Sequence, residues 1–217
     1  MTVVPILYSF RRCPYAMRAR LGLLTSGQIV ELREIVLKDK ALEFFEASPT
    51  ATVPCLKDGE LVLDESLDIM IWALKRSDPE RWLAPHGVDS SAMLELISEC
   101  DGPFKRHLDR YKYDTRYEDA DKHEERAAAS EFLWKLDEML NGSQWLYGET
   151  ACLADYAILP FVRQFANTGR NWFNNEDWTA LKSWLENFEG SDRFQAIMGK
   201  YAKWQSGGDA IFFPETA

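Results

Sequence analysis

No two of the four cysteines in this 217-residue sequence share a Cys-x-x-Cys spacing: they stand at 13, 55, 100 and 152. That excludes a dithiol redox motif and a paired-cysteine zinc site, and a chain of this size needs no disulfide framework to fold. No apolar run approaches the roughly 18 residues a membrane span requires, and MTVVPILYSFRR has no basic leader ahead of an apolar core. Secretion, membrane association and membrane insertion are therefore not expected; a reducing, cytoplasmic setting is. The three histidines, His86, His107 and His123, have no ligand spacing, and HEERA lacks the second histidine of a zinc protease motif. A glycine-rich phosphate loop is also missing, so neither metal nor nucleotide cofactor is expected.

Positive charge is in deficit. Lys and Arg number 25 against 35 Asp and Glu, giving a formal charge of −10, which argues against a nucleic-acid binder because phosphate neutralisation needs a concentrated basic surface. The deficit reverses locally: residues 1–30 hold Arg11, Arg12, Arg18 and Arg20 and no acid. Two readings follow, a corner that draws a small anionic ligand or a solvated helix face that happens to be basic.

What is present has two textures. Up to residue 77, strand-like and helix-like segments alternate: VVPILYSF, an amphipathic run from Pro14 to Ser26, IVELREIV, ALEFFEAS, and two short apolar runs around Asp58-Gly59, a strong hairpin signal. SLDIMIWALKR then reads as a helix beginning at Ser66. The order is βαβαββα. A Pro-, Gly-, Asp- and Ser-rich linker over 78–89 follows, and residues 90–217 carry helical spacing throughout, so an α/β domain joined to an all-α domain is expected.

Chemistry concentrates in RRCPYAMR, residues 11–18. Pro is favoured at the first position of a helix because its missing N–H is one the helix leaves unpaired anyway, so Pro14 puts Cys13 at the N-cap, its sulfur facing the N–H groups of Tyr15 and Ala16. Lowering a thiol from about 8.5 to about 5 takes roughly 5 kcal/mol, of which a helix dipole supplies at most about 2. Charged hydrogen bonds, at about 1.5 to 3 kcal/mol each, and the nearby arginines must contribute the rest. An inert buried cysteine is the alternative.

CPYAMR after a strand, VPCL, and DES opening a helix, in this order, resemble the glutathione transferase superfamily, closest to its cysteine-containing, omega-like members and related to the glutaredoxins. LADYAILPF and LKSWLENF resemble its helical C-terminal domain. The resemblance implies a thioredoxin-like glutathione-binding domain, glutathione as co-substrate and a homodimer. It implies a cis Pro54 that turns Val53 outward to pair with the tripeptide's backbone, Glu65 and Ser66 at the γ-glutamyl end, with Ser66 as helix cap, and Lys40 near the glycyl end. Asp64, Phe10 and Tyr8 are additional candidates, although the β-propensity and apolar neighbours of Tyr8 favour a core strand. In the family a co-substrate pocket lies between the domains, for which Arg106, Tyr111, Tyr113 and Trp172 are candidates, suited to a small hydrophobic or disulfide co-substrate.

With alanine at 16, no second thiol can expel a substrate by closing an internal disulfide, so glutathione itself must resolve a mixed disulfide at Cys13. The sequence therefore favours thiol transfer, deglutathionylation of glutathionyl adducts or dehydroascorbate-type reduction. Conjugation to electrophiles and a catalytically silent binding module with the same fold remain as alternatives. Cys55 follows Pro54 and reads either as a neighbour of the site or as core, while Cys100 reads as buried in an amphipathic helix. Cys152 stands where the family usually has the Ser or Thr of a helix-capping box. A thiol caps poorly, which puts the role of Asp155 in question and leaves Thr150 as a substitute cap.

Overall fold

The computed structural model describes residues 4–48 and 50–215, so Val3, at the start of the first strand-like stretch, lies outside the described residues. The chain divides into two compact units: the described residues up to Glu80 together with those from Ser191 onward, and Arg81–Gly190.

The first unit is built on a mixed sheet in the order β4-β3-β1-β2-β5. β1 (Ile6–Ser9) lies parallel to β2 (Val30–Glu34) and antiparallel to β3 (Cys55–Asp58), which forms a hairpin with β4 (Leu61–Leu63). Gly59 in the hairpin has φ +61°, a conformation that favours glycine. Helices α1 (Pro14–Ser26), α2 (Leu42–Ala47) and α3 (Ser66–Arg76) complete the expected βαβαββα order. α1 and α3 approach closely at Gly22, where a Cβ would fall 2.8 Å from the Met70 Cα, a space only glycine leaves open.

The helical region expected over 90–217 does not stay whole. Helix α10 (Asp192–Ile197) and β5 (Phe212–Phe213) belong to the first unit, because Arg193 bonds Thr25 of α1 and Glu80, and β5 pairs antiparallel with β2. Leu32 N–H donates to Ile211 C=O at 2.7 Å and Trp204 N–H to Glu34 C=O at 2.9 Å, so the C-terminal segment satisfies a sheet edge that would otherwise be bare.

The second unit comprises α4 (Ser90–Glu99), α5 (Lys105–Lys112), α6 (Lys122–Leu140), α7 (Leu153–Thr168), α8 (Arg170–Asn175) and α9 (Thr179–Glu189). α4 passes into α5 through one wide π turn, Cys100–Phe104, that accommodates Pro103. Asp89 and Asp121 cap α4 and α6 by accepting backbone N–H groups. α7 is buried almost all round from Leu153 to Val162 and forms the middle of this unit. The stretch 78–89 contains no helix or strand, yet Trp82 within it is fully buried and stacks on Tyr156 at 4.1 Å.

Candidate active site at the start of the first helix

Cys13 is the N-cap of α1, with extended backbone (φ −74°, ψ 125°) and Pro14 as the first helical residue. A tight turn delivers it, closed by Cys13 N–H donating to Phe10 C=O at 3.0 Å. The side chain is half-buried and makes no cap hydrogen bond to its own helix. The thiol donates toward the Val53 carbonyl, 3.6 Å away. The Val53–Pro54 peptide is cis, and the structure therefore brings Cys13 and Val53 to one spot.

The remaining candidates in this unit are held as follows. Lys40 is no solvated surface residue; its Nζ donates to Ala51 C=O at 2.8 Å and lies over the Phe44 and Phe45 rings, bracing the loop before Val53. Ser66 is not the cap of α3 but its first residue, the N-cap being Glu65. It is buried, and its hydroxyl accepts from Arg18 at 3.3 Å. Glu65 is exposed and Asp64 half-buried. Tyr8 is a core-strand residue, 2% exposed, accepting from Arg33 at 2.9 Å and donating to Glu43 C=O at 3.3 Å; burial pushes its hydroxyl above the ordinary range. Phe10 is half-buried beneath Arg12, whose guanidinium lies 5.6 Å from the ring centroid.

The basic corner divides: Arg12 is exposed and Arg11 half-buried, while the other two arginines turn inward. Arg18 and Arg20 are buried, so they form no solvated face and offer no open landing point for an anion. Arg20 donates to Ser9 Oγ at 2.6 Å and to Arg11 C=O at 2.7 Å. Desolvation pulls its guanidinium down to about 10, still charged at neutrality. Glu34, also buried, accepts the Arg11 N–H at 2.7 Å, and burial raises its carboxyl despite that bond and the nearby Arg20. Sequence reasoning picked out Arg20 only as a member of the basic corner and missed Glu34. The available signal was strand phase: in VELRE, Val30, Leu32 and Glu34 share the buried face.

The other three thiols are fully buried. Cys55 donates toward Ala47 C=O at 3.6 Å, and burial pushes it up to about 11. Cys152 is the N-cap of α7, so Thr150 does not replace it. Its thiol donates to Asp155 Oδ2 at 3.2 Å, and burial together with that carboxylate pushes it well above the ordinary thiol range. Asp155 also accepts the N–H groups of Cys152 and Leu146, each at 2.9 Å, and Trp184 Nε1–H at 3.2 Å. The doubt about Asp155 is thereby removed: the capping box stands with a cysteine in it.

The four co-substrate candidates all lie in the second unit. Tyr111 is buried, its ring 5.2 Å from Phe165, and is part of that unit's core. Trp172 is half-buried under the Arg126 guanidinium, 4.0 Å from its ring, and Tyr113 is covered at 4.1 Å by Arg116. Arg106 is exposed beside His107. Among the described residues no group of three or more His, Cys, Asp or Glu is placed to hold a metal ion.

Comparison with known proteins bears on these features. The family model described as glutathione S-transferase, N-terminal domain, matches residues 7–81, and that for the glutathione S-transferase C-terminal domain matches 97–192. The chain is 30% identical over 159 residues to glutathione S-transferase omega-1 of Mus musculus. That alignment covers 73% of this chain and 65% of the relative, just under two thirds of its length. A solved glutathione transferase family member from Pseudomonas fluorescens pf-5, with two glutathione bound, has a TM-score of 0.78 at 21% identity over 90% of this chain and 92% of that one. Glutathione transferase Omega 3C from Trametes versicolor has a TM-score of 0.75 at 17% identity, over 94% and 88%. At such identities these structures speak for the fold.

Proposed function

Because the chain belongs to the glutathione S-transferase superfamily, in its omega-like branch, we propose that it is a glutathione-dependent thiol transferase that works through a mixed disulfide at Cys13. The observation that carries this reading is the contrast among the sulfurs. Cys13 alone of the four is partly exposed, and it stands at a helix N-terminus against the Val53 carbonyl. A helix N-terminus carries partial positive charge, which favours the thiolate. Glutathione as the co-substrate draws support from the Pseudomonas fluorescens relative, which has two molecules bound.

The reaction runs in two exchanges. The Cys13 thiolate attacks the glutathionyl sulfur of a disulfide; a new S–S bond forms at Cys13, the old one breaks, and the departing thiolate takes a proton from solvent. A second glutathione, as thiolate, then attacks the glutathionyl sulfur, releasing glutathione disulfide and restoring the Cys13 thiolate. Overall, one glutathione thiol is consumed, the substrate's mixed disulfide is reduced to a thiol, and its glutathionyl group leaves as half of the glutathione disulfide. Binding assigns the backbone of Val53 to the cysteinyl part of the tripeptide as an added strand. Glu65 serves the ammonium and Ser66, at the start of α3, the carboxylate of the γ-glutamyl end, while Lys40 serves the glycyl carboxylate. A homodimer in a reducing, cytoplasmic setting belongs to the same proposal.

Conjugation to electrophiles gains nothing from Tyr8, whose hydroxyl is engaged by Arg33 and the Glu43 carbonyl. The deciding assay compares wild type with Cys13→Ala in glutathione-dependent reduction of a small disulfide and in conjugation to an aromatic halide. Loss of reduction in the variant is expected; full retention of it overturns the mechanism.

A further inference from the structure

Two buried side chains of opposite charge grip the backbone of one residue, Arg11, two positions before Cys13. Glu34 of β2 accepts the Arg11 N–H at 2.7 Å, and Arg20 of α1 donates to the Arg11 C=O at 2.7 Å. Arg20 also donates to Ser9 Oγ at 2.6 Å, so it spans from the end of β1 to the turn that delivers Cys13. We propose that Arg20 and Glu34 are positioning residues for Cys13: together they fix the Phe10–Cys13 turn, and their opposed charges set how readily the thiol ionises, Arg20 favouring the thiolate and Glu34 restraining it.

Packing alone does not account for this arrangement. Arg20 is fully buried and Glu34 is 8% exposed, yet Arg20 Nε and Glu34 Oε2 have no hydrogen-bond partner among the described residues. A fold that needed only a filled core would be better served by apolar groups of the same shape, because buried, incompletely satisfied charges are costly. Inside the protein the fields of such charges reach farther than in water, and the Arg20 charge is felt at Cys13. The other titratable and charged groups around the pair are Arg11 in the turn and Tyr201 in the C-terminal segment, with Glu215 near Tyr201. Arg12 lies outside over Phe10, and from the β3 side Cys13 meets the uncharged Val53 carbonyl.

This inference rests on Cys13 as the reacting sulfur, but its test requires no glutathione. The rate of Cys13 alkylation by iodoacetamide is followed against pH in wild type, Glu34→Gln, Arg20→Met, Arg20→Lys and the Arg20→Met/Glu34→Gln double variant. Glu34→Gln keeps the shape and the acceptor for Arg11, and leaves Arg20 uncompensated. Its inflection is expected to fall by about one pH unit, whereas Arg20→Met raises it by a similar amount. The double variant returns toward wild type, and Arg20→Lys stays nearer wild type than Arg20→Met. A purely structural brace would move both single variants in the same direction, and that result, or an unmoved inflection in Glu34→Gln, overturns the proposal. Should Arg20→Met fail to fold, the sign of the Glu34→Gln shift decides alone. Because alkylation reads the thiol and disulfide reduction reads the enzyme, a failure of the charge effect and a failure of the proposed activity are seen separately.

Discussion

Helices α1 and α7 both begin at a cysteine in extended backbone, and the two sulfurs stand in different surroundings. Cys13 is half-buried, follows a turn gripped by Arg20 and Glu34, and faces the Val53 carbonyl. Cys152 is fully buried and donates to the Asp155 carboxylate, which raises the thiol well above its ordinary range. A helix N-terminus therefore does not by itself make a reactive cysteine. Nearby negative charge and desolvation outweigh the dipole at α7.

The largest effects break the comparison at its two anchors. Cys13→Ala is expected to lower glutathione-dependent disulfide reduction by at least about a hundredfold, whereas Cys152→Ala leaves the activity of the folded protein unchanged. Asp155→Ala removes the common acceptor of three N–H groups and a thiol inside the second unit, and should cost about 3 to 5 kcal/mol in denaturant unfolding. A loss below about 1 kcal/mol would show the network to be dispensable.

Labelling sharpens the contrast next. In the native protein iodoacetamide should modify Cys13 alone, while Cys55, Cys100 and Cys152, each fully buried, react only after unfolding; peptide mapping with and without denaturant reads this directly. Cys55 provides a pH test. Burial moves it from 9.0 up to about 11, so between those values the folded chain keeps a proton that the unfolded chain has lost. Stability must then fall as pH rises through that window, and Cys55→Ala should flatten the slope of stability against pH. The raised Tyr8 hydroxyl contributes in the same direction at its upper edge. The smallest effect belongs to Cys152→Ser. A hydroxyl is the better cap and the better donor to Asp155, so stability should rise by up to about 1 kcal/mol, seen as a slightly higher Tm.

Much of this contrast could be read before any coordinates. Pro14 announced the start of α1, Asp58-Gly59 the hairpin, and alternating segments the βαβαββα order, because each rests on local backbone chemistry. Long-range contacts were hidden. The two-residue β5 is too short to carry a period, and only its pairing with β2 makes it a strand. Arg18 and Arg20 look like solvent-facing charges until Ser66, Ser9 and the Arg11 carbonyl are brought to them by the fold. The direction of the Cys13 thiol likewise depends on Val53, forty residues away.

The most direct measurement of the central claim is mass spectrometry of the native protein incubated with glutathione disulfide and then digested under acidic, thiol-free conditions. The account predicts one glutathionyl group per chain, on the peptide containing Cys13, lost again on adding reduced glutathione. An active preparation that carries no adduct, or carries it on another cysteine, would contradict it.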